Sequence, residues 1–588
     1  MTDVKQLITE HLDIWLTAET EKKSGRGRSS GAKDTIYGVQ KLRELILDLA
    51  IRGKLVAQNP NGEPASELLK KISTEKEKLV KEGKIKKAKP LPILDETPFT
   101  IPSNWVWGYL QDLSSYIQRG KSPKYTEKSN RIVVSQKCVR WQGLDLSPAR
   151  FIEPESLDKY EEIRFLQQDD ILWNSTGTGT IGRACLFEIN ENFEKVVADS
   201  HVTVVRLLND IAKFIYLVIR SPYIQKDLED SASGTTNQIE LNTSTVQQTK
   251  IPLPPLEEQQ RIVVKVDELM QLCDQLEQQQ TLSSDAHSTL VDTLLKALTE
   301  SSDADDFQGN WQRIVANFDL LFNTEYSIEQ LKQTVLQLAV MGKLVKQDPS
   351  DEPASELLKK IAYEKAKLIK EGKIKKSKPL PEITEDEKPF ELPSGWEWSR
   401  LNNIVSILGD GLHGTPEYED NTELYFINGN NLNDGVIEIK DHTKTVSKES
   451  FEKNKKDLCL RTMFVSINGT IGNVAFYNNE PVILGKSACY FNMIEPTSLL
   501  FIKLVFNSPY FFDYAEKSVT STTIKNLSLA SMNRFPIPLP PLNEQRLIVK
   551  KVNQLFSIIE QLQVLQSKLQ KTKLYLADAL VANAVENV

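Results

Sequence analysis

The sequence is poor in the residues that build metal sites and covalent frameworks. Five cysteines (Cys138, Cys185, Cys273, Cys459 and Cys489) are scattered over 588 residues with no CxxC pair. That spacing argues against a zinc ribbon or a disulfide framework and fits a reducing cytoplasm. The five histidines (His11, His201, His287, His413 and His442) show no HExxH or similar metal spacing. No apolar run is long enough to cross a bilayer. Met1 to Thr20 lacks the basic-then-apolar layout of a secretory signal. No GxxxxGK[ST] loop occurs, so no nucleotide motor is expected. Positive charge is not in excess either, the formal net charge being −8. An acidic total weighs against a nucleic-acid partner. It averages over the whole chain, however, and leaves room for a local basic surface. What remains, 40% hydrophobic and 26% charged residues, is ordinary for a globular chain of roughly three to five domains.

What is present is a long internal repeat. Glu63 to Ile72 reads EPASELLKKI, and so does Glu352 to Ile361. EGKIKK at Glu82 to Lys87 recurs at Glu371 to Lys376. The pair Trp105 and Trp107 in PSNWVW returns as Trp396 and Trp398 in PSGWEW, and IPLPPL at Ile251 to Leu256 returns at Ile537 to Leu542. A period near half the chain means a duplicated multi-domain unit, not a solenoid. Two equivalent modules make a pseudo-dimer, suited to a two-part ligand. The stretches between the shared words, about 109–250 and 402–536, share only short islands. The expectation is one scaffold carrying two divergent surfaces.

Local patterns give the elements. Leu42, Leu45, Leu49 and Ala50/Ile51 share one helical face, with Gly53 as the stop. Pro64 opens a second helix that Gly83 ends. Residues 105–250 hold short β-type runs, Ile132–Val134, Ile171–Trp173 and Val202–Val205, among Gly, Asn and Ser clusters. Beyond Pro254-Pro255 a long helix places Ile262, Val266, Leu269, Cys273 and Leu276 four, three, four and three apart; Ile548, Val552, Leu555, Ile559 and Leu562 repeat the spacing. That is a coiled-coil seam. Such helices either pack on each other as a spacer or pack each on its own domain. The fold class expected is α+β, two pseudo-symmetric mixed α/β domains separated by long paired helices, an antiparallel coiled-coil spacer. The divisions are residues 1–36, a segment with a basic Gly/Ser-rich linker; 37–95, helical; 96–255, the first α/β domain; 256–390, helical; 391–541, the second α/β domain; and 542–588, helical.

Two motifs resemble catalytic signatures. Gly177-Thr178-Gly179-Thr180-Ile181-Gly182 matches GxGxxG, which needs a helix after it to meet a pyrophosphate. Here RACLFEI follows, which looks like a strand. The second copy keeps only GTIG (Gly469 to Gly472), so GTIG reads as a tight turn between strands. Asn507-Ser508-Pro509-Tyr510 is one residue from an amino-methyltransferase NPPY, but its twin is Arg220-Ser221-Pro222-Tyr223. Both read better as helix termini. Nothing assembles a catalytic constellation.

Residues 70–89 and 359–378 each hold nine lysines at equivalent positions. They suit a solvated helix face, phosphate contacts or an acidic partner. Being the same in both copies, they cannot distinguish two DNA sequences. Residues suited to reading base edges lie where the copies differ. In the first domain the candidates are Lys121, Lys124, Asn174, Thr176, Thr178, Arg183, Ser200, His201, Thr236 and Asn237. In the second they are His413, Thr415, Asn428, Asn430, Asn431, Asn468, Thr470, Lys486, Thr523 and Lys525. The INGNN segment that holds Asn428 to Asn431 has no obvious twin in the first domain.

Two divergent domains, each with a GTIG turn and a TT-containing loop, each lead through IPLPPLEEQ or IPLPPLNEQ into a helix. This resembles the specificity subunit of type I restriction–modification systems, in the subgroup with long duplicated helical regions. The resemblance covers nearly the whole chain after about residue 35. It implies a non-catalytic, cytoplasmic protein that reads a bipartite, asymmetric site in double-stranded DNA, one target-recognition domain per half-site. It also implies two methyltransferase (modification) subunits and two restriction (translocase–nuclease) subunits as partners. S-adenosylmethionine, ATP and magnesium would then sit on those partners, with no cofactor in this chain and no membrane. The rival expectation is an enzyme, a stand-alone DNA adenine methyltransferase or a fused restriction enzyme.

Overall fold

The computed structural model describes residues 4–19, 36–94, 96–158, 160–177, 179–232, 240–376, 378–519 and 525–586. The chain forms two compact units, Met1–Ser283 with Leu569–Val588, and Ser284–Lys568. The divisions fall inside the two long helices, Leu256–Thr299 and Leu542–Glu586. Among the described residues no helix is long and apolar enough to cross a membrane, and no His, Cys, Asp and Glu group could hold a metal ion.

In the first unit the helix Tyr37–Ile51 buries Leu42, Leu45, Leu49, Ala50 and Ile51, and Gly53 follows it with φ 71°. The lysine-rich helix Ala65–Lys81 starts directly after Pro64. A four-stranded sheet runs Ser114–Arg119, Val202–Leu207, Ile171–Asn174, Ala184–Leu186, all antiparallel. Beside it, Lys195–Ala198 pairs in parallel with Arg131–Val134. The second unit repeats both: Val405–Asp410, Ala488–Met493, Thr462–Ser466 and Val474–Phe476 form the antiparallel sheet, and Tyr425–Ile427 pairs in parallel with Val482–Leu484.

The repeated words meet at the neck of each α/β domain. Val106–Tyr109 pairs antiparallel with Lys250–Leu253, so Trp107 lies opposite Pro252; Trp398 lies opposite Pro538 in the same pairing. The prolines are tolerated because these are two-stranded ribbons with a free edge. The glutamate of each xEQ segment is buried beneath the neck. Glu258 Oε1 accepts from both Trp105 Nε1 at 3.1 Å and Gln58 Nε2 at 2.6 Å. Glu544 divides the work: Oε2 accepts from Trp396 Nε1 at 2.9 Å, Oε1 from Gln347 Nε2 at 3.0 Å. The following glutamine bonds back to the proline carbonyl, Gln259 to Pro254 and Gln545 to Pro540. The repeated signature is thus a structural knot.

The knot differs between copies in a testable way. Glu258 Oε1 takes both donors and Oε2 has no hydrogen-bond partner, so Glu258→Gln can keep both donors on its carbonyl oxygen and should cost less than the same change at 544. At 544 both oxygens accept, so Glu544→Gln must turn an NH2 against a donor. Gln347 cannot flip to help, since its Nε2 also donates to Gly342 O at 2.6 Å. The expected cost is about 1–3 kcal/mol, read as a lower urea midpoint. Burial raises both carboxyl pKa values. A raised carboxyl contributes most below its unfolded pKa, and its contribution is lost as pH climbs through the folded value. Glu258→Gln should therefore gain on the native protein as pH rises.

The seam residues Ile262, Val266, Leu269 and Cys273 are buried in the core of the first unit, and Ile548, Val552 and Ile559 in that of the second. The first part of each long helix therefore packs on its own unit. The last part of the second long helix belongs to the first unit. Ala577 and Ala584 are buried there, Tyr37 Oη donates to Asp578 Oδ1 at 2.8 Å, and Lys54 Nζ donates to Val585 O at 2.7 Å. In the second unit Lys343 Nζ does the same for Thr299 O at 2.8 Å, at the end of the first long helix.

Candidate nucleic-acid interface

Both motifs that looked catalytic are structural. GTIG is a turn between antiparallel strands: Gly182 N donates to Asn174 O and Gly472 N to Ser466 O, both at 3.0 Å. Gly182 and Gly472 have φ of 84° and 96°, which only glycine adopts at low cost. No helix follows either turn, so no helix N-terminus is aimed at a phosphate. Ser221 and Ser508 are buried between helices, each Oγ donating to the backbone of the turn before it, and Pro222 and Pro509 open the next helix.

In the first domain four loops join into one surface at the strand ends. Lys121 N donates to Ala198 O at 3.0 Å, and Ser122 and Ser200 hydroxyls meet at 3.2 Å. Ser175 N donates to His201 O at 2.9 Å, and Thr176 Oγ1 bonds His201 Nδ1 at 2.6 Å. Gln136, in the turn after strand Arg131–Val134, receives Thr180 Oγ1 at 3.2 Å. Lys121, Thr176, Arg183, Ser200 and His201 are thus brought together. Lys124 is exposed, 3.9 Å from Glu153. Arg183 donates to Gly179 O at 2.7 Å; partial burial first, and then the charge of Arg140, lowers its pKa. Two guanidiniums sharing a patch make a place for an anion.

The second domain builds the same surface from other side chains. Leu412 N donates to Leu484 O, and Ile467 N to Ser487 O. These bonds make Gly411 the twin of Gly120, Lys486 that of Ser200, and Ser487 that of His201. A Cβ on Gly120 would stand 2.1 Å from Ala198 O, and one on Gly411 2.2 Å from Gly485 O, so both strand ends need glycine. His413 contacts Asp410. Thr415, Thr470, Asn430 and Lys486 are exposed. Asn468 pairs with Asn526 across an isolated bridge, and Lys525 lies beside it, its ammonium 3.3 Å from Glu516. Asn428 Oδ1 accepts from Ser487 Oγ at 3.0 Å.

Two candidates hold the surface from beneath instead of facing outward. Asn174 is fully buried, donating to Gln136 O and Thr180 O. Asn431, 5% exposed, donates to Glu438 O at 2.9 Å. Thr178, Thr236, Asn237 and Thr523 lie outside the described residues.

INGNN does have a twin. Cys138 N donates to Ser135 O and Asn431 N to Asn428 O, and then Asp145 N to Cys138 O and Glu438 N to Asn431 O. SQKC and NGNN are therefore the same turn, and each leads into a two-residue hairpin, Val139–Leu144 or Leu432–Ile437. Sequence reasoning passed over Ser122, Gln136, Lys137, Arg140, Trp141 and Ser487 on this surface. They share no sequence signal, and within the hairpins Gly143 and Gly435 fall at different positions.

The lysine blocks repeat their first ion pairs. Lys70 and Lys71 pair with Glu67 and Glu63 at 2.8 and 2.7 Å, and Lys359 and Lys360 with Glu356 and Glu352 at 2.7 Å each. Lys76 reaches Gln111 O and Lys365 reaches Asn402 O, burial lowering both pKa values. Those two lysines tie the helix to the α/β domain.

A family model described as the type I restriction modification DNA specificity domain matches residues 102–283 and 393–571. The type I restriction enzyme EcoAI specificity subunit of Escherichia coli is 38% identical, covering 99% of this chain and all of its own length. The EcoEI specificity subunit of the same species is also 38% identical, with the same coverage. Among solved structures, the HsdS subunit from Thermoanaerobacter tengcongensis aligns with a TM-score of 0.38 and 17% identity, over 83% of this chain and 98% of that one.

Proposed function

Because the chain belongs to the family of type I restriction–modification specificity subunits, we propose that its two recognition domains each read one half of a split, asymmetric site in double-stranded DNA. The helical regions set the distance between the half-sites and dock two methyltransferase and two restriction subunits in the cytoplasm. This chain supplies the reading; S-adenosylmethionine, ATP and magnesium act on the partners. The observation that carries the reading is one backbone surface built twice with unlike side chains. Ser200 stands where Lys486 does, and His201 where Ser487 does. Such a pair keeps the approach to DNA constant while changing the donors and acceptors offered to base edges. The lysine helices, alike in both copies, are left for phosphates or for two copies of one partner.

The test is a domain exchange in the full chain, assembled with a compatible type I modification subunit. Replacing residues 109–250 with another recognition domain should change one half of the methylated sequence and leave the other half and the spacer intact. A change in both halves would sink the modular reading.

A further inference from the structure

The hairpin after the SQKC turn is built unlike its twin. In the second domain its two-residue tip is Asp434-Gly435, with φ of 43° and 94°, the chemistry such a turn prefers. It is also tied down: Asp434 pairs with Lys503 at 2.6 Å and Gly435 N donates to Val474 O at 2.8 Å. In the first domain the tip is Trp141-Gln142, and the positive φ falls instead on the next residue, Gly143, at 128°. Trp141 keeps 36% of its surface exposed, and among the described residues no aromatic ring or cation lies against it. Arg140 is exposed beside it, 3.7 Å from Asp145, and lies near Arg183 of the GTIG turn. The first tip thus presents a partly exposed indole beside an exposed guanidinium, where the second presents a carboxylate bound to its own domain.

We propose that this tip is a base-reading element of the first recognition domain, Trp141 packing in the groove against apolar base-edge groups such as a thymine methyl and Arg140 with Arg183 taking the flanking phosphates. The inference rests on the proposed function, since it needs DNA on this surface. Indole offers a large apolar face at little conformational cost, and guanidinium pairs with phosphate in a fixed fork. The twin tip, acidic and bound to its own domain, has no such role, so the two half-sites are read by differently placed elements.

The experiment selects binding sites from a random duplex library with the full chain and its modification subunit. Trp141→Ala should lose at least tenfold in affinity for the sequence the native complex selects. It should lose base preference at one or two positions of one half-site, with affinity for unrelated duplex unchanged. Trp141→Phe should restore part of both, and Asp434→Ala should change neither half. Gln142→Ala and Arg140→Gln, both at exposed positions, are read in the same selection in case Trp141→Ala folds poorly; Arg140→Gln should reduce affinity with a smaller salt dependence. If the native complex selects a bipartite site and these variants select it equally well, the hairpin proposal is overturned while the function stands. If the native complex selects no site, the function itself fails.

Discussion

Truncation of the chain before Leu569 is expected to unfold the first unit while leaving the second intact. Residues 569–586 lie about 360 to 470 positions from the sheet strands Ser114–Leu207 of that unit, yet they complete its core. Ala577 and Ala584 are buried in it, and Leu574, Leu580, Val581 and Val585 pack against it. Four half-buried aliphatic side chains contribute about 1–2 kcal/mol each. That is comparable with the whole stability of a domain, about 5–15 kcal/mol. Lys573 adds contacts to Asp13 at 3.2 Å and Thr17 at 2.6 Å, and Tyr37 loses its acceptor on Asp578. Hydrogen exchange should show residues 4–17 and 37–51 opened, with strands Thr462–Ser466 and Ala488–Met493 still protected. Unchanged protection in helix Tyr37–Ile51 would show that this segment is dispensable.

Replacing Arg206 by methionine should cost about 3–5 kcal/mol, the usual penalty for stranding a buried charge. Asp170 is fully buried, and Arg206 meets both its oxygens at 2.7 Å. Arg206 also donates to Phe165 O at 2.8 Å. The second copy carries the alternative. At the equivalent positions Thr462 Oγ1 donates to Asn492 Oδ1 at 2.6 Å, and Cys459 N donates to Thr462 Oγ1 as Gln167 N does to Asp170 Oδ2. The double change Asp170→Thr with Arg206→Asn should therefore recover most of what Arg206→Asn alone loses, a coupling a double-mutant cycle reads directly. Burial raises the Asp170 pKa and the Arg206 bonds oppose it. Without Arg206 the carboxyl rises further, so the penalty is full at pH 7 and shrinks in acid as the group takes its proton. A penalty that grew in acid would contradict this account.

Much of the scaffold was legible because its signals are local. Turn glycines at 53, 182 and 472 and the proline at the helix start near 64 each act within a few residues, and the repeated words showed the duplication by themselves. Comparing the copies also disposed of GxGxxG, since only the turn was kept. The surface was harder to read. SQKC and NGNN share no residue; their equivalence lies in backbone hydrogen bonds that no letter records. The GTIG loops differ by two residues in length, which puts any simple alignment out of register. Asn174 and Asn431 carry the amides that suit adenine, but an amide at a strand end can turn inward or outward. Here each amide donates inward to carbonyls of the neighbouring backbone, Asn174 to Gln136 O and Thr180 O and Asn431 to Glu438 O. The long-helix seam had two readings from one spacing, and burial within each unit settles the first part of each helix. Nothing local marked residues 569–586 as part of the first unit.

That last feature bears on time as well as stability. Residues 37–51 emerge early, but the segment that covers them is made on the order of a minute later at roughly 5–20 residues per second. Through that interval Leu42, Leu45 and Ile46, fully buried in the finished protein, wait with part of their cover missing. The second unit, made later, holds all its own pieces by residue 568. The half synthesised first is therefore the half that matures last, and it is the one that depends on protection while translation finishes.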